Sequence, residues 1–294
     1  MTSSSKSYNR ETLVALAFLL PSLIGFITFY AVPAVRGLFI SFTDWNLLTE
    51  PTNVGLANYR TLLSDPEFGN SLRVTLQYVL WNIPFQTSIA VVIAVMMDRL
   101  TKSTIVRGIL LLPWLMPNVI VALLFLWLLD PSLGIVNAVI EGLGFEGLGF
   151  FGNLNQAMPT IAMVNVWRHV GYTALLIFAG LQTIPQSVYE AAAIDGATEW
   201  HAFWRITVPM LRPVLAFVLV TTVIGSFQIF DTVAVTTEGG PINATEVVNW
   251  LIFERAFERF DMGYATTVSM ALFVILIVVS LIQLRILRAD ESDM

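Results

Sequence analysis

Apolar residues in this chain gather into long runs, and polar residues fall between them. Six runs reach bilayer length, at about 12–35, 72–97, 107–129, 158–184, 210–234 and 264–287. The hydrocarbon core of a bilayer takes roughly 20 mostly apolar residues of helix. A segment in lipid must satisfy its own backbone groups, and a helix does so internally. The pattern predicts an all-α integral membrane protein with about six transmembrane helices. The first run follows a polar start, Met1 to Glu11, exceeds a signal-peptide core, and has no small-residue cleavage site after it. It is expected to be retained. No repeat, low-complexity tract or linker is visible, so the chain reads as one membrane domain over 1–294, with a core at about 72–287.

Composition supports this reading. Hydrophobic residues make up 56% of the chain and charged residues 12%, half of the roughly 25% usual in soluble domains. So few charges leave a surface suited to lipid. With no cysteine and only His169 and His201, neither a disulfide framework nor a thiolate or His-rich metal site is expected. The net charge of −6 argues against nucleic acid, which needs a basic face.

The bias of Lys and Arg sets orientation in a membrane. With both termini on one side, that side carries Lys6, Arg10, Arg99, Lys102, Arg107, Arg205, Arg212, Arg285 and Arg288. The other side carries Arg36, Arg60, Arg73, Arg255 and Arg259 among many acids, and its loop from Asp130 to Gln156 has no cation. Both termini are therefore expected in the cytoplasm. Ala192 and Lys102 are then inside, and Gly147 and Gly240 outside.

The segment 185–209 between the fourth and fifth runs has its own logic. Ser187 and Glu190 have capping-box spacing, which predicts a helix start. Ala191, Ala192 and Ala193 are strong helix formers of small bulk that let another surface come close. Gly196 suits a helix end. Trp200, Phe203 and Trp204 recur at helical spacing, and Pro209 suits the first turn of the fifth span. On these grounds alone, a loop lying on lipid headgroups and a docking loop are equally good readings.

The order Glu190-Ala191-Ala192, Gly196, Ile206 and Pro209 resembles the signature of permease subunits of binding-protein-dependent ABC importers. Val208 stands where Leu is usual, a conservative departure. Gly55-Leu56-Ala57-Asn58-Tyr59, Leu62 to Pro66, Phe230-Asp231, Thr237 to Pro241 and Gly263-Tyr264-Ala265 are similar to outer-loop and span-start motifs of the carbohydrate-type, maltose-permease-like members. The resemblance covers about residues 12–287 and implies the type I permease fold of ABC importers. It implies a coupling role for Glu190, Ala191, Ala192, Gly196, Ile206 and Pro209 against a cytoplasmic ATPase dimer. It also implies a second permease subunit and an extracytoplasmic solute-binding protein that delivers a di- or oligosaccharide, or a derivative such as glycerol phosphate. The chain has no G-x-x-x-x-G-K-[ST] loop to cradle ATP phosphates. No cofactor is expected in it, and ATP would be used by the partner.

Several polar residues lie within the runs. An ionisable group at mid-membrane costs roughly 2.5–3.5 kcal/mol, so Arg168 should face protein or water. A pathway role and a structural pairing, for instance with Asp231, stand level. Asn82 and Gln86 are four apart and share a helix face. With Asn118 and Gln228 they suit either solute hydroxyls or contacts between helices, and helix contacts are the more common use. Trp81, Trp114, Trp127 and Trp167 suit stacking on a sugar or an interfacial belt. An intramembrane enzyme is disfavoured by the absence of Cys, H-E-x-x-H and G-x-S-x-G motifs. A stand-alone secondary transporter is disfavoured by the lack of two related halves.

Overall fold

The computed structural model describes residues 4–101 and 103–288. Lys102, one of the cations counted above, lies outside them. The chain runs α1 (Ser4–Phe26), a π-helical turn (Ile27–Ala31), α2 (Val32–Ile40), β1 (Thr43–Asp44), β2 (Thr52–Asn53), α3 (Ala57–Ser64), α4 (Pro66–Leu100), α5 (Thr104–Leu115), α6 (Asn118–Leu128) and α7 (Ile135–Gly142). It continues through α8 (Ala157–Leu181), α9 (Gln186–Ile194), α10 (Glu199–Ala202), α11 (Val208–Met210), α12 (Arg212–Phe227), α13 (Asp231–Thr236), α14 (Val248–Phe253) and α15 (Met262–Arg288).

Among the described residues, five helical segments are long and apolar enough to span a bilayer: Val14–Ile40, Pro66–Leu100, Ala157–Leu181, Arg212–Thr236 and Met262–Ile286. The sixth expected span is broken. Helices α5 and α6 meet at 90°. Prolines explain the break. Pro113 sits in the last turn of α5, and Pro117 caps α6. Met116, before Pro117, is held extended at φ −74° and ψ 138°, as a residue preceding proline prefers.

The chain divides into two compact units. One comprises residues 1–64 and 252–271. Its first span is exposed along its apolar length. The hairpin β1–β2 pairs Thr43 with Asn53 and Asp44 with Thr52. Asn58 donates to the carbonyls of Ser41 at 3.0 Å and Thr43 at 2.9 Å. A β-carbon on Gly263 would stand 2.0 Å from the Thr43 oxygen, so only glycine allows that approach. Two stretches similar to family motifs thus meet on one strand.

The other unit comprises residues 65–251 and 272–294. Asp65 caps α4 by accepting from the Glu67 N–H at 2.9 Å. At 1.5 Å per residue, the 35 residues of α4 span roughly 50 Å, more than a hydrocarbon core of about 30 Å. The helix therefore projects beyond the membrane. Helix α8 is the most enclosed, with Ile161, Val164, Ala174 and Ile177 buried. Ala90 and Ala94 of α4 pack with Ala174, Ile177 and Leu211 in one apolar cluster. Small residues let these backbones approach without a hydrophobic drive between helices.

Candidate functional site

A polar cavity of about 220 Å³ opens among α4, α5, α6, α8, α12 and α13. Asn82, Gln86, Asn118 and Gln228, singled out from the sequence, all line it. Asn82 Nδ2 donates to Gln86 Oε1 at 3.2 Å and to Ser226 Oγ at 3.0 Å. Gln86 Nε2 donates to Thr173 Oγ1 at 2.8 Å. This ladder joins α4, α12 and α8, so the two amides act between helices while they wall the cavity. Asn118 Nδ2 donates to Asp231 Oδ2 at 2.6 Å. Trp114 and Tyr172 stack at 4.5 Å and 9° on the cavity wall. Of the other tryptophans weighed above, Trp81 stacks on Phe85 and Trp167 packs edge-on to Phe125, while Trp127 is exposed.

Arg168 sits elsewhere. Its guanidinium is not part of the cavity wall. It reaches the break in the third span, where Nε and Nη2 donate to the Met116 carbonyl at 3.2 and 2.9 Å. Nη2 also donates to the Trp114 carbonyl at 3.2 Å. The carbonyls at the end of α5 have no helical partners, and a cation there also answers the helix dipole. One turn on, Gly171 lies so close to α5 that an added β-carbon would stand 1.8 Å from the Leu110 oxygen. The Asp231 carboxylate is engaged by Asn118. Further residues that the sequence does not single out for the cavity also line it, among them His169, Tyr172 and Thr173 on α8. Tyr172 and Thr173 lie three and four residues beyond His169 on α8, a face that helical periodicity exposes only once Arg168 is placed.

The second feature is the loop 185–209. Helix α9 starts at Gln186, after Pro185, with no side-chain cap. The expected Ser187–Glu190 capping box is therefore not formed. The helix begins one residue before Ser187, which puts Ser187 inside the first turn and Glu190 beyond reach. The side-chain cap sits on α10, where Thr198 accepts from the His201 N–H at 3.4 Å and its hydroxyl meets His201 Nδ1 at 2.8 Å.

Gly196 ends α9 at φ +79°. The Ala197 N–H bonds the Ala192 carbonyl at 2.9 Å, and the Gly196 N–H bonds the Ala193 carbonyl at 3.1 Å. These two bonds form a Schellman motif with glycine in the left-handed position. Glu190, Ala191 and Ala193 are exposed and Ala192 is partly so. Ile206 lies in a π-helical turn, Phe203–Thr207. Pro209 is in the short α11, one turn before the span proper, and Pro213 takes the first turn of α12. Trp200 and Trp204, both exposed, pack edge to face at 5.6 Å. Arg99 at the end of α4 pairs with Glu199, and Gln182 donates to Asp98 at 2.6 Å.

The sequence profile of the family described as "Binding-protein-dependent transport system inner membrane component" matches residues 86–289. The trehalose/maltose transport system permease protein MalF of Thermococcus litoralis is 32% identical, over 97% of both chains. Among solved structures, a bacterial ABC transporter involved in the import of the acidic polysaccharide alginate is similar at a TM-score of 0.84 and 25% identity. That likeness covers 97% of this chain and 98% of the other. A bacterial alginate ABC transporter in complex with alginate pentasaccharide-bound periplasmic protein gives a TM-score of 0.82 at 25% identity, over 95% of this chain and 94% of the other.

Proposed function

The chain belongs to the family of binding-protein-dependent transport system inner membrane components, and from that premise we propose that its polar cavity is one half of the pathway for a saccharide. It is a multi-pass permease subunit of the cell membrane, a conduit rather than an enzyme. The observation that carries the pathway reading is the cavity itself. Within an apolar helical bundle, amides, hydroxyls and a stacked aromatic pair converge on one space. At about 220 Å³ it is smaller than the roughly 300–1,000 Å³ that encloses a drug-sized ligand. A second permease subunit supplies the facing wall in this reading.

The solute arrives on an extracytoplasmic binding protein. ATP is hydrolysed by a cytoplasmic ATPase dimer that seats the exposed helix α9. Ligand and ATP then shift the populations of inward- and outward-open states. A trehalose/maltose permease and an alginate transporter in complex with an alginate pentasaccharide-bound periplasmic protein, both among the similar proteins, support the saccharide class.

The test is reconstitution of the full importer in vesicles with a panel of neutral and acidic saccharides. ATP-dependent uptake of a saccharide is expected. Uptake that persists without the ATPase would instead mark a secondary transporter.

The cytoplasmic position of the termini and of α9 is part of the same proposal, and rests on the Lys and Arg bias. Because the chain has no cysteine, single cysteines report the side of each loop. An impermeant thiol reagent added to intact cells is expected to label Leu143→Cys and to spare Ala193→Cys. The reverse pattern would invert the topology.

A further inference from the structure

We propose that the wall this chain lends to the pathway accepts an uncharged, hydroxyl-rich saccharide and turns away sugars that carry phosphate, sulfonate or carboxylate. The inference rests on the pathway reading above and names the solute class for that cavity. Overall similarity does not choose between the classes, because the similar proteins include a trehalose/maltose permease and an importer of an acidic polysaccharide.

The charges facing the cavity carry the argument. His169 lines it. Its Nε2 stands 2.8 Å from Arg168 Nη1, and its Nδ1 stands 2.9 Å from the Asn165 carbonyl. Arginine only donates and a carbonyl only accepts. Nε2 is therefore bare, Nδ1 carries the proton, and the ring is neutral. The Arg168 guanidinium donates to the Trp114 and Met116 carbonyls, where the negative end of α5 offsets its charge, and from outside the wall it also attracts the Asp231 carboxylate. Asp231 remains, the single formal charge among the described residues of the wall.

Hydrogen-bond capacity points the same way. Asn82 spends both amide protons on Gln86 and Ser226. Asn165 spends both on the Ile161 carbonyl and Thr232 Oγ1. Thr221 gives its hydroxyl proton to backbone of its own helix. Asn82 Oδ1 is a buried acceptor with no hydrogen-bond partner. Thr221 and Gln228, exposed on the same wall, offer oxygen lone pairs, and the Gln228 amide also offers protons, a mixed set that suits hydroxyls, which both donate and accept. An acidic oxygen offers only lone pairs. The Trp114–Tyr172 platform suits the C–H face of a sugar ring and presents electron-rich faces that do not favour anions.

The experiment uses the full importer in vesicles, its other subunits freed of reactive cysteine, with Thr221→Cys in this chain. Three thiol-alkylating reagents of matched size carry a trimethylammonium, no charge, or a sulfonate. Their rates are normalised to those with a free thiol. The cationic reagent is expected to react roughly tenfold faster than the sulfonate, the scale on which a cleft of one sign concentrates counter-ions. Asp231→Asn is expected to narrow that ratio. Equal rates, or efficient ATP-driven uptake of an acidic saccharide in the panel, would overturn the charge selection. The pathway reading has a separate readout: the neutral label on Thr221→Cys should block uptake. A fully labelled importer that transports normally would overturn that reading, and this inference with it. Gln228→Cys, also exposed on the wall, replaces Thr221→Cys if that variant does not assemble.

Discussion

Replacing Gly196 with valine is expected to abolish ATP-driven uptake and weaken co-purification of the ATPase, while the permease itself remains folded. No atom lies within 4 Å of the place where a β-carbon would be added, so crowding is not the cause. The cause is the backbone. At φ +79° a non-glycine residue pays roughly 1–2 kcal/mol, and a β-branched one is worse placed still. Relief comes by leaving the left-handed region, which breaks the paired bonds to Ala192 and Ala193. Helix α10 then swings, carrying Trp200 and Trp204 with it. Each 1.4 kcal/mol lost at a docking face is a tenfold change in affinity.

Gly196→Asp has a milder backbone cost, since Asp tolerates this region better, but it sets a negative charge at the C-terminal end of α9, against the dipole. Glu190→Lys reverses a charge on the exposed face and is expected to act on docking alone. Pull-down of the ATPase, uptake, and thermal unfolding of the permease separate these effects. Wild-type uptake and ATPase association in both Gly196→Val and Glu190→Lys would leave α9 as a headgroup-facing helix with no coupling role.

The spans were legible because burial in lipid demands length and apolarity, both of which are linear in sequence. The glycine turn at 196 was legible for a similar reason: a helix end needs a residue that tolerates positive φ, and glycine stands alone there. The break in the third span is invisible in its apolar run. Hydropathy sums side chains and is blind to the backbone, while Pro113 and Pro117 act on the backbone alone. The capping box failed because Pro185 takes the N-cap position two residues before Ser187, which a fixed Ser–x–x–Glu spacing cannot register. The cavity was half legible. Asn82 and Gln86 announce a polar face by their spacing of four. Asn118 finds Asp231, and Arg168 finds two carbonyls of α5, only after distant helices pack.

Arg168→Leu is expected to impair uptake severely while the subunit still assembles with its partners, through the bend in the third span rather than through contact with solute. The variant removes three hydrogen bonds to the Met116 and Trp114 carbonyls. The bonds to Met116 are part-buried and the one to Trp114 is exposed, so their loss costs less than the roughly 1–3 kcal/mol of a fully buried acceptor, and the larger effect is on the geometry of the bend. Trp114 and Asn118 flank the bend, and both line the cavity. A change in the 90° angle therefore moves one side of the aromatic pair and the partner of Asp231 together. Lysine at this position keeps the charge but lacks the planar fork that serves two carbonyls at once, so Arg168→Lys should fall between wild type and leucine. Gly171→Ala reaches the same bend from the next turn of α8, since its β-carbon would meet the Leu110 oxygen at 1.8 Å and push α5 away. Uptake kinetics and co-purification decide the matter. If Arg168 only clamps the bend, Gly171→Ala should reproduce the kinetic defect of Arg168→Leu although it leaves the guanidinium in place. Normal uptake in Arg168→Leu would show that the bend holds without its clamp. A defect in Arg168→Leu with none in Gly171→Ala would return Arg168 to direct contact with the solute.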